Sequence, residues 1–284
     1  MATRLIDIHP HIISPDTERY PVAPLGGAQS GWSRKQPASF EEFLAQMETA
    51  GIDKAVIVHS STTYGFDNSY LADSVATDRQ RLDGVFAVDL FEPDAAEKIR
   101  YWAVDRGLGG LRIFTSGTTM GQQPWLEDER ILPGWDAATD LGLSICVQAS
   151  RAAAPQLEKL LQRTPRTRVI LDHMMRPPIA SGEPYPDAKF LFDLARYPNL
   201  YLKMTILNTQ DAQAGEATPQ SFFGRLVREF GAQRIAWGSN FPATVGTLTT
   251  MVEDLLRCID FLPAQDQHWI MAGTAQVLYP RMAD

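Results

Sequence analysis

Several features that would narrow the function at once are missing from this sequence. Its two cysteines, Cys146 and Cys258, are too few for a disulfide framework in 284 residues and fit a reducing compartment. No apolar run approaches the roughly 20 residues of a membrane-spanning helix. The first residues contain too short an apolar stretch for a signal peptide. We therefore expect a cytoplasmic protein that does not enter a membrane.

Positive charge is also scarce. The chain has 26 Lys and Arg residues against 34 Asp and Glu, a formal net charge of −8. This balance argues against binding to nucleic acid or to an anionic membrane surface. The sequence has no G-x-S-x-G motif, which argues against a serine hydrolase of the nucleophile-elbow type. Nothing in the composition indicates an oligomeric state.

What the sequence does have is a series of eight short, mostly apolar runs, each followed by a helical pattern. They cover residues 4–8, 55–59, 84–90, 110–114, 144–148, 168–171, 200–204 and 234–237. Near-continuous apolar runs are typical of strands buried on both faces. Eight strand–helix units in 284 residues predict an α/β protein with a (β/α)₈ TIM-like barrel, a single domain over 1–284. An open doubly wound sheet is the rival, but Gly107, Gly109 and Gly110 precede a strand, so its phosphate signature is absent.

Helix ends and loop lengths are also readable. Ser39 and Glu42 form a predicted capping box, and Thr218 with Pro219 predicts a second helix start. The segments after the strands are long and polar, notably 10–38, 115–128, 174–187 and 206–218, whereas those leading into strands are short. In a barrel this asymmetry predicts an active site at the C-terminal ends of the strands.

The histidines with the most chemical promise stand at predicted strand ends. His9 and His11 follow the first strand and, with a period of two, point the same way. Such a pair can share a metal or hold one substrate oxygen, or can be solvated loop residues. His173 ends the sixth strand and is a candidate base or a packed core residue. Asn240 follows the eighth strand and has an amide that cannot take a proton at neutral pH.

Cationic side chains gather at the same predicted ends. Arg112, Arg176 and Lys203 lie in or directly after apolar strands, where charge is costly unless it is paired or faces a ligand. Arginine matches carboxylates with two parallel hydrogen bonds. We therefore expect a small anionic, carboxylated substrate. The alternative is pairing inside the barrel, with Asp7, Asp89 or Asp172. Further polar candidates for substrate contacts are Ser60, Ser61, Tyr64 and Gln148.

Together these motifs resemble the amidohydrolase-related family, in the branch of 2-pyrone-4,6-dicarboxylate hydrolase and other sugar-lactone and muconolactone hydrolases. The resemblance rests on four motifs spread over the chain: Asp7-x-His9-x-His11, Gly110-Leu-Arg112, Asp172-His173-x-x-Arg176-Pro177 and Gly238-Ser-Asn240-Phe-Pro242. It implies a TIM-like barrel, attack on the carbonyl of a ring substrate, and arginines that hold the substrate carboxylates.

Two departures from the family pattern bear on the metal. The family usually has Asp at the end of the eighth strand, as metal ligand and water-activating base, where this chain has Asn240. Broader amidohydrolases place a histidine on the fifth strand, where this chain has Gln148. Zinc or another divalent ion would then be left with His9, His11 and His173. Three histidines can hold catalytic zinc, but the branch includes members that work without metal, and we expect a metal-free site.

The leading hypothesis is hydrolysis of a small carboxylated lactone. Each candidate residue has an expected role: Arg112, Arg176 and Lys203 bind the carboxylate and polarise the carbonyl, His9 and His11 stabilise the oxyanion, His173 activates water, and Asn240 orients it. A lactone isomerase is the runner-up, because Asn240 removes a carboxylate base. A metal-dependent decarboxylase comes third, and a non-enzymatic anion binder comes last.

Overall fold

The computed structural model describes residues 4–115 and 125–283. Its centre is one sheet of eight parallel strands in the order β1 to β8. The strands are β1 Ile6–Asp7, β2 Lys54–Val58, β3 Leu82–Ala87, β4 Gly110–Phe114, β5 Ser144–Gln148, β6 Arg168–Leu171, β7 Leu200–Thr205 and β8 Ile235–Gly238. The N–H of Ile8 donates to the carbonyl of Trp237 at 3.2 Å, and that of Asn240 to the carbonyl of His9 at 3.0 Å. These bonds join the first and last strands, and the predicted α/β barrel is confirmed.

Helices connect the strands and follow the last of them. They are α1 Gly31–Lys35, α2 Phe40–Ala50, α3 Ser61–Tyr64, α4 Ser69–Thr77, α5 Ala95–Arg100, α6 Leu132–Asp140, α7 Ala154–Arg163, α8 Lys189–Asp193, α9 Ile206–Asp211, α10 Pro219–Phe230, α11 Leu248–Ile259, α12 Ala264–His268 and α13 Thr274–Leu278. Wider π turns follow α5 and α12, at Tyr101–Asp105 and Trp269–Gly273. Within the described residues, no helix is long and apolar enough to cross a bilayer.

The predicted caps are present. The N–H of Glu42 donates to Ser39 Oγ at 3.2 Å, and the N–H of Ser39 donates to Glu42 Oε2 at 2.7 Å. At α10 the Ser221 N–H donates to Thr218 Oγ1 at 3.1 Å. Of the long segments after the strands, 10–38, 174–187 and 206–218 lie at the predicted end, although 206–218 begins with helix α9. Most of segment 115–128 lies outside the described residues.

The third strand ends earlier than its apolar run. The run 84–90 predicts a strand to Leu90, but β3 covers Leu82–Ala87. The side-chain amide of Asn68 explains this end, because its Oδ1 accepts the N–H of Ala87 at 2.8 Å and its Nδ2 donates to the Ala87 carbonyl at 2.9 Å. Both polar groups of Ala87 are satisfied by a side chain, and strand pairing stops there.

Two apolar layers hold the barrel together. The larger lies between the strands and the surrounding helices, and the smaller fills the barrel interior with side chains such as Ile6, Val56 and Ile170. The chain after β8 closes one end of this interior. There Tyr279 is fully buried, and the Leu278 carbonyl accepts the Ser144 hydroxyl proton at 2.7 Å, at the start of β5. The functional cavity therefore opens at the opposite end, where the strands finish.

Candidate active site

A cavity of about 440 Å³ lies at the C-terminal ends of the strands. Eight of the predicted site residues line it: His11, Ser60, Ser61, Arg112, Gln148, His173, Arg176 and Asn240. Residues that the sequence did not single out for the site also line it, among them Trp32 of α1 and Asp172. The volume suits a small ring with a few substituents.

Three predicted site residues do not line this cavity. His9 and Lys203 are fully buried beneath it. Tyr64 is buried as well, and its hydroxyl accepts the N–H of Ser14 at 2.7 Å, which anchors the long first loop. These three side chains therefore do not reach a ligand in the cavity. They support the residues around them instead.

The floor of the cavity is a buried charged cluster centred on Asp172. Its carboxylate lies 2.8 Å from Lys203 Nζ, 3.6 Å from Arg112 Nε and 3.7 Å from His9 Nδ1. Burial alone would raise the pKa of Asp172, but the Lys203 and Arg112 charges outweigh it and the pKa lies below its usual range. Charge pairing inside the barrel is thus present, with Asp172 as the partner. A carboxylate held this way is a weak base.

Arg112 is fixed in place before any ligand binds. Its Nη1 donates to the His59 carbonyl at 2.9 Å, and its guanidinium lies 5.0 Å from the centre of the Phe114 ring. The side chain is 6% exposed, and burial lowers its pKa against the opposing effect of Asp172. An arginine stays charged even so. The cavity therefore has a rigid cation in its wall, ready for an anion or a polarised carbonyl.

His11 is neutral, and its tautomer can be assigned. Its Nδ1 lies 2.8 Å from the Val58 carbonyl, which can only accept, so Nδ1 has the proton and Nε2 has a lone pair. Burial and the Arg112 charge hold its pKa well below the usual value. The Trp32 ring stacks on it at 5.3 Å. A neutral His11 in this tautomer accepts a hydrogen bond at Nε2, which differs from the predicted role as a donor to an oxyanion.

His9 packs among the other site histidines. Its ring centre is 4.9 Å from that of His11 and 4.7 Å from that of His173. Burial first, and then the Lys203 charge, keep its pKa well below the usual value. A Cβ on Gly238 would come within 2.5 Å of the His9 Cβ, so only glycine fits beside it. Its backbone N–H donates to Asp7 Oδ1 at 2.9 Å, and burial raises the pKa of Asp7 to about 6.

His173 stands on an unusual backbone segment. Residues 173–176 all have φ between 47° and 57°, in the left-handed region, although none is glycine. The Arg176 N–H donates to the His173 carbonyl at 2.8 Å and closes this left-handed turn. The turn brings His173 and Arg176 to the same cavity. Burial, with the Arg112 and Lys203 charges, lowers the pKa of His173 to about 4 despite the opposing Asp172, so the imidazole is neutral at pH 7.

The rim supplies one more cation and two amides. Arg176 is half exposed and pairs with Asp211, with Nη2 at 2.8 Å from Oδ1 and Nε at 3.3 Å from Oδ2. The Asn240 amide donates to Thr244 Oγ1 at 2.9 Å, which leaves its other N–H and its oxygen for a ligand. The buried oxygen of Gln148 has no hydrogen-bond partner among the described residues.

Sequence reasoning missed two kinds of contributor. Asp172 stands directly before His173, but the sequence suggested it only as an ion-pair partner and not as part of the cavity floor. Trp32 lies in the long first loop, and its position over His11 depends on the short helix α1. No capping pattern in the sequence predicts this helix. The ends of the strands could be read from the sequence, whereas the path of the loops could not.

Comparison with known proteins agrees with this geometry. The amidohydrolase family model matches residues 6–281. L-fucono-1,5-lactonase from Burkholderia ambifaria is 29% identical over 73% of this chain and 70% of its own length. The 4-sulfomuconolactone hydrolase from Hydrogenophaga intermedia is 26% identical over 92% and 83%. The chain therefore belongs to the amidohydrolase family.

Two solved structures share the fold. One, from Pseudomonas putida and described as a 2-pyrone-4,6-dicarboxylic acid hydrolase, superposes with a TM-score of 0.79 and 22% identity, and all of both chains is covered. The other is an amidohydrolase from Burkholderia multivorans with bound zinc, with a TM-score of 0.76 and 18% identity over 98% and 99% of the two chains. At these identities the likeness concerns the barrel.

Because the Burkholderia multivorans structure contains bound zinc, the fit of a divalent ion can be tested on these residues. Within 4–115 and 125–283, no group of three or more His, Cys, Asp and Glu side chains is placed to hold a metal ion. The carboxylate beside His9, that of Asp172, already binds the Lys203 ammonium. Position 240 offers a neutral amide where an anion would balance the metal charge. The described donor set does not fit a divalent ion.

Proposed function

We propose that this protein hydrolyses the ring ester bond of a small carboxylated lactone, without a resident metal ion. The observation that carries the proposal is the placement of neutral His173 in one cavity with the guanidinium groups of Arg112 and Arg176. A base beside fixed cations suits attack of water on the carbonyl of an anionic substrate. The two relatives described above are named as lactone hydrolases, which supports the same class.

In this mechanism the arginines bind the substrate and His173 moves the proton. Arg176 binds a carboxylate at the rim, and Arg112 polarises the ring carbonyl from the floor. His173 Nε2 takes a proton from water as the water oxygen attacks the carbonyl carbon. The negative charge on the tetrahedral oxygen is stabilised by Arg112. The ring C–O bond then breaks, and the protonated His173 returns its proton to the leaving alkoxide oxygen.

The substrate charge also adjusts the base. In the free enzyme the cations beside His173 help to depress its pKa to about 4. A bound carboxylate compensates part of that positive charge, and the pKa of His173 rises toward neutrality. His173 therefore becomes a stronger base when the anionic substrate is in place.

A panel of lactone mono- and dicarboxylates, followed with a pH indicator after treatment with a chelator, tests the proposal. Hydrolysis releases one proton per turnover, whereas isomerisation, the reaction that Asn240 would favour instead, releases none. His173→Gln is expected to lower kcat by about 10²–10⁴-fold with substrate binding retained. His268→Gln, an exposed site on α12, is the matched control. Turnover retained in His173→Gln, or restored only by added zinc, would contradict the proposal.

Decarboxylation and ligand binding without turnover have their own signatures. A decarboxylase would release carbon dioxide and would need the divalent ion that this donor set does not fit. A pure binder would show a thermal shift with carboxylated lactones and no turnover. A cytoplasmic location and a ligand set without nucleic acid stay predictions from composition.

A further inference from the structure

We propose that Thr205 and Asn208 are positioning residues that hold His173 in the tautomer with its proton on Nδ1. Nε2 is then the unprotonated nitrogen available in the cavity. Thr205 ends β7, the strand next to β6, and His173 follows β6. Asn208 lies one turn into α9, the helix that follows β7. The catalytic consequence rests on the proposed function, whereas the tautomer itself can be measured without any substrate.

The orientation of the Asn208 amide is the first step. One end of this amide lies 2.9 Å from the His173 carbonyl, which can only accept, so that end is the NH₂ group. The other end is therefore the oxygen. It accepts the Thr205 N–H at 3.0 Å, and a flipped amide would set an N–H against an N–H and an oxygen against an oxygen.

The direction of the Thr205 hydroxyl follows. Asn208 Oδ1 also accepts the hydroxyl proton of Thr205, at 3.2 Å. A hydroxyl has one proton, so toward any other neighbour Thr205 Oγ1 can only accept. The neighbour is His173 Nδ1, at 2.9 Å. Nδ1 must therefore be the protonated nitrogen, and in a neutral ring Nε2 has the lone pair.

Burial makes this assignment strict. Thr205 and Asn208 are at most 1% exposed and His173 is 7% exposed, so on the Nδ1 side of the ring solvent cannot replace a lost hydrogen bond. Moving the proton to Nε2 would turn the Thr205 hydroxyl toward the Nδ1 lone pair and leave two acceptors, Thr205 Oγ1 and Asn208 Oδ1, facing each other at 3.2 Å in the interior. The same three residues also fix the backbone, since Asn208 holds the His173 carbonyl at the start of the left-handed turn.

The primary test is ¹⁵N NMR of the imidazole groups in the ligand-free enzyme at pH 7, with the His173 signals assigned by their loss in His173→Gln. The expected spectrum has a protonated Nδ1 and an unprotonated Nε2 at His173. In Thr205→Val the shape is kept and the acceptor is lost, so the proton is expected to redistribute toward Nε2. Thr205→Ser is expected to restore the wild-type spectrum.

Activity supplies the second readout. If the lactone is turned over, Thr205→Val is expected to lower kcat by about 10–100-fold with KM within about threefold, and Thr205→Ser to recover most of it. Thr218→Val, which removes the equivalent cap hydroxyl from α10, is the matched control and is expected to affect only stability. Thr205→Ala removes the same acceptor and replaces Thr205→Val if that variant does not fold.

Two results would overturn the proposal: a wild-type enzyme with the His173 proton on Nε2, or acceptor-free variants whose tautomer and kcat equal those of the wild type. A failure of the proposed function looks different. No variant, nor the wild type, would then open a lactone, while the NMR spectra would still show the Nδ1 tautomer and its dependence on Thr205.

Discussion

At the scale of single residues, Arg176 is the cation whose charge is most open to competition. Its guanidinium already binds the Asp211 carboxylate with three contacts, so in the proposed mechanism a substrate carboxylate has to displace Asp211. The structure thus places an internal competitor at the rim. Because the Arg176–Asp211 ion pair is partly exposed, breaking it costs little free energy.

Asp211→Asn is expected to lower KM for a carboxylated lactone by about 3–10-fold, with kcat within about twofold, because Arg176 loses its internal partner and each factor of ten corresponds to about 1.4 kcal/mol. Steady-state kinetics measure the change. Asp193→Asn, which breaks the exposed pair with Lys189 on α8, is the control and should leave KM unchanged. A higher KM in Asp211→Asn would show that Asp211 orients Arg176 rather than competing for it.

The pKa of His173 predicts an unusual pH profile. A base with the ordinary histidine value would lose activity below about pH 6.5. Since the His173 pKa lies at about 4 in the free enzyme, kcat/KM is expected to stay level from pH 8 down to about 5 and to fall near pH 4. Rates taken during brief pH jumps, with recovery at pH 7 as the check for unfolding, measure this. An acid limb near pH 6.5 would remove His173 from the role of base.

At the scale of elements, Asn68 makes the hydrogen bonds that a neighbouring strand would otherwise make. Its amide makes two buried hydrogen bonds to the Ala87 backbone at the end of β3. Asn68→Leu is expected to reduce the free energy of unfolding by about 2–4 kcal/mol, since both Ala87 groups lose their partners. Urea denaturation measures this, with the exposed Gln80→Ala as the control. An unchanged midpoint would mean that β3 finds other partners at this end.

The same scale shows what the sequence can and cannot predict. The apolar runs predicted all eight strands, because a run of apolar side chains is the main sequence signal of a strand buried on both faces. The caps at Ser39 and Thr218 were readable since the bonds are local. The left-handed turn at 173–176 was not, because without glycine its conformation depends on tertiary contacts such as Asn208 to His173. Strand ends predicted which residues approach the cavity, but not that Lys203 and His9 lie beneath it.

At the scale of the whole molecule, buried histidines link stability to pH. The pKa values of His59 and His173 are lowered by burial to about 4, and those of His9 and His11 lie well below the usual value. The unfolded chain therefore binds more protons between pH 6.5 and 4, so this contribution is complete above pH 6.5 and is lost as the pH falls. Asp7 acts in the opposite direction, because its raised pKa favours the folded state at lower pH.

The free energy of unfolding is accordingly expected to fall between pH 7 and pH 5, by about 2 kcal/mol for each of His59 and His173, offset by about 1 kcal/mol from Asp7. Denaturant titrations at several pH values measure the slope. His59→Gln is expected to make the slope shallower. A stability that rises toward pH 5 would show that the carboxyl group outweighs the histidines.

The composition of the barrel base has a consequence for folding during synthesis. The side chains that fill the base, around Leu278, Tyr279 and Met282, follow all eight strands in the chain. Strand residues such as Ile6 and Val56 therefore leave the ribosome long before their partners exist. The interior cannot be completed until the segment around Leu278 has left the ribosome, so the nascent strands are exposed to aggregation until then. We therefore expect the yield of folded protein to depend on the supply of chaperones more strongly than is usual for a chain of this length.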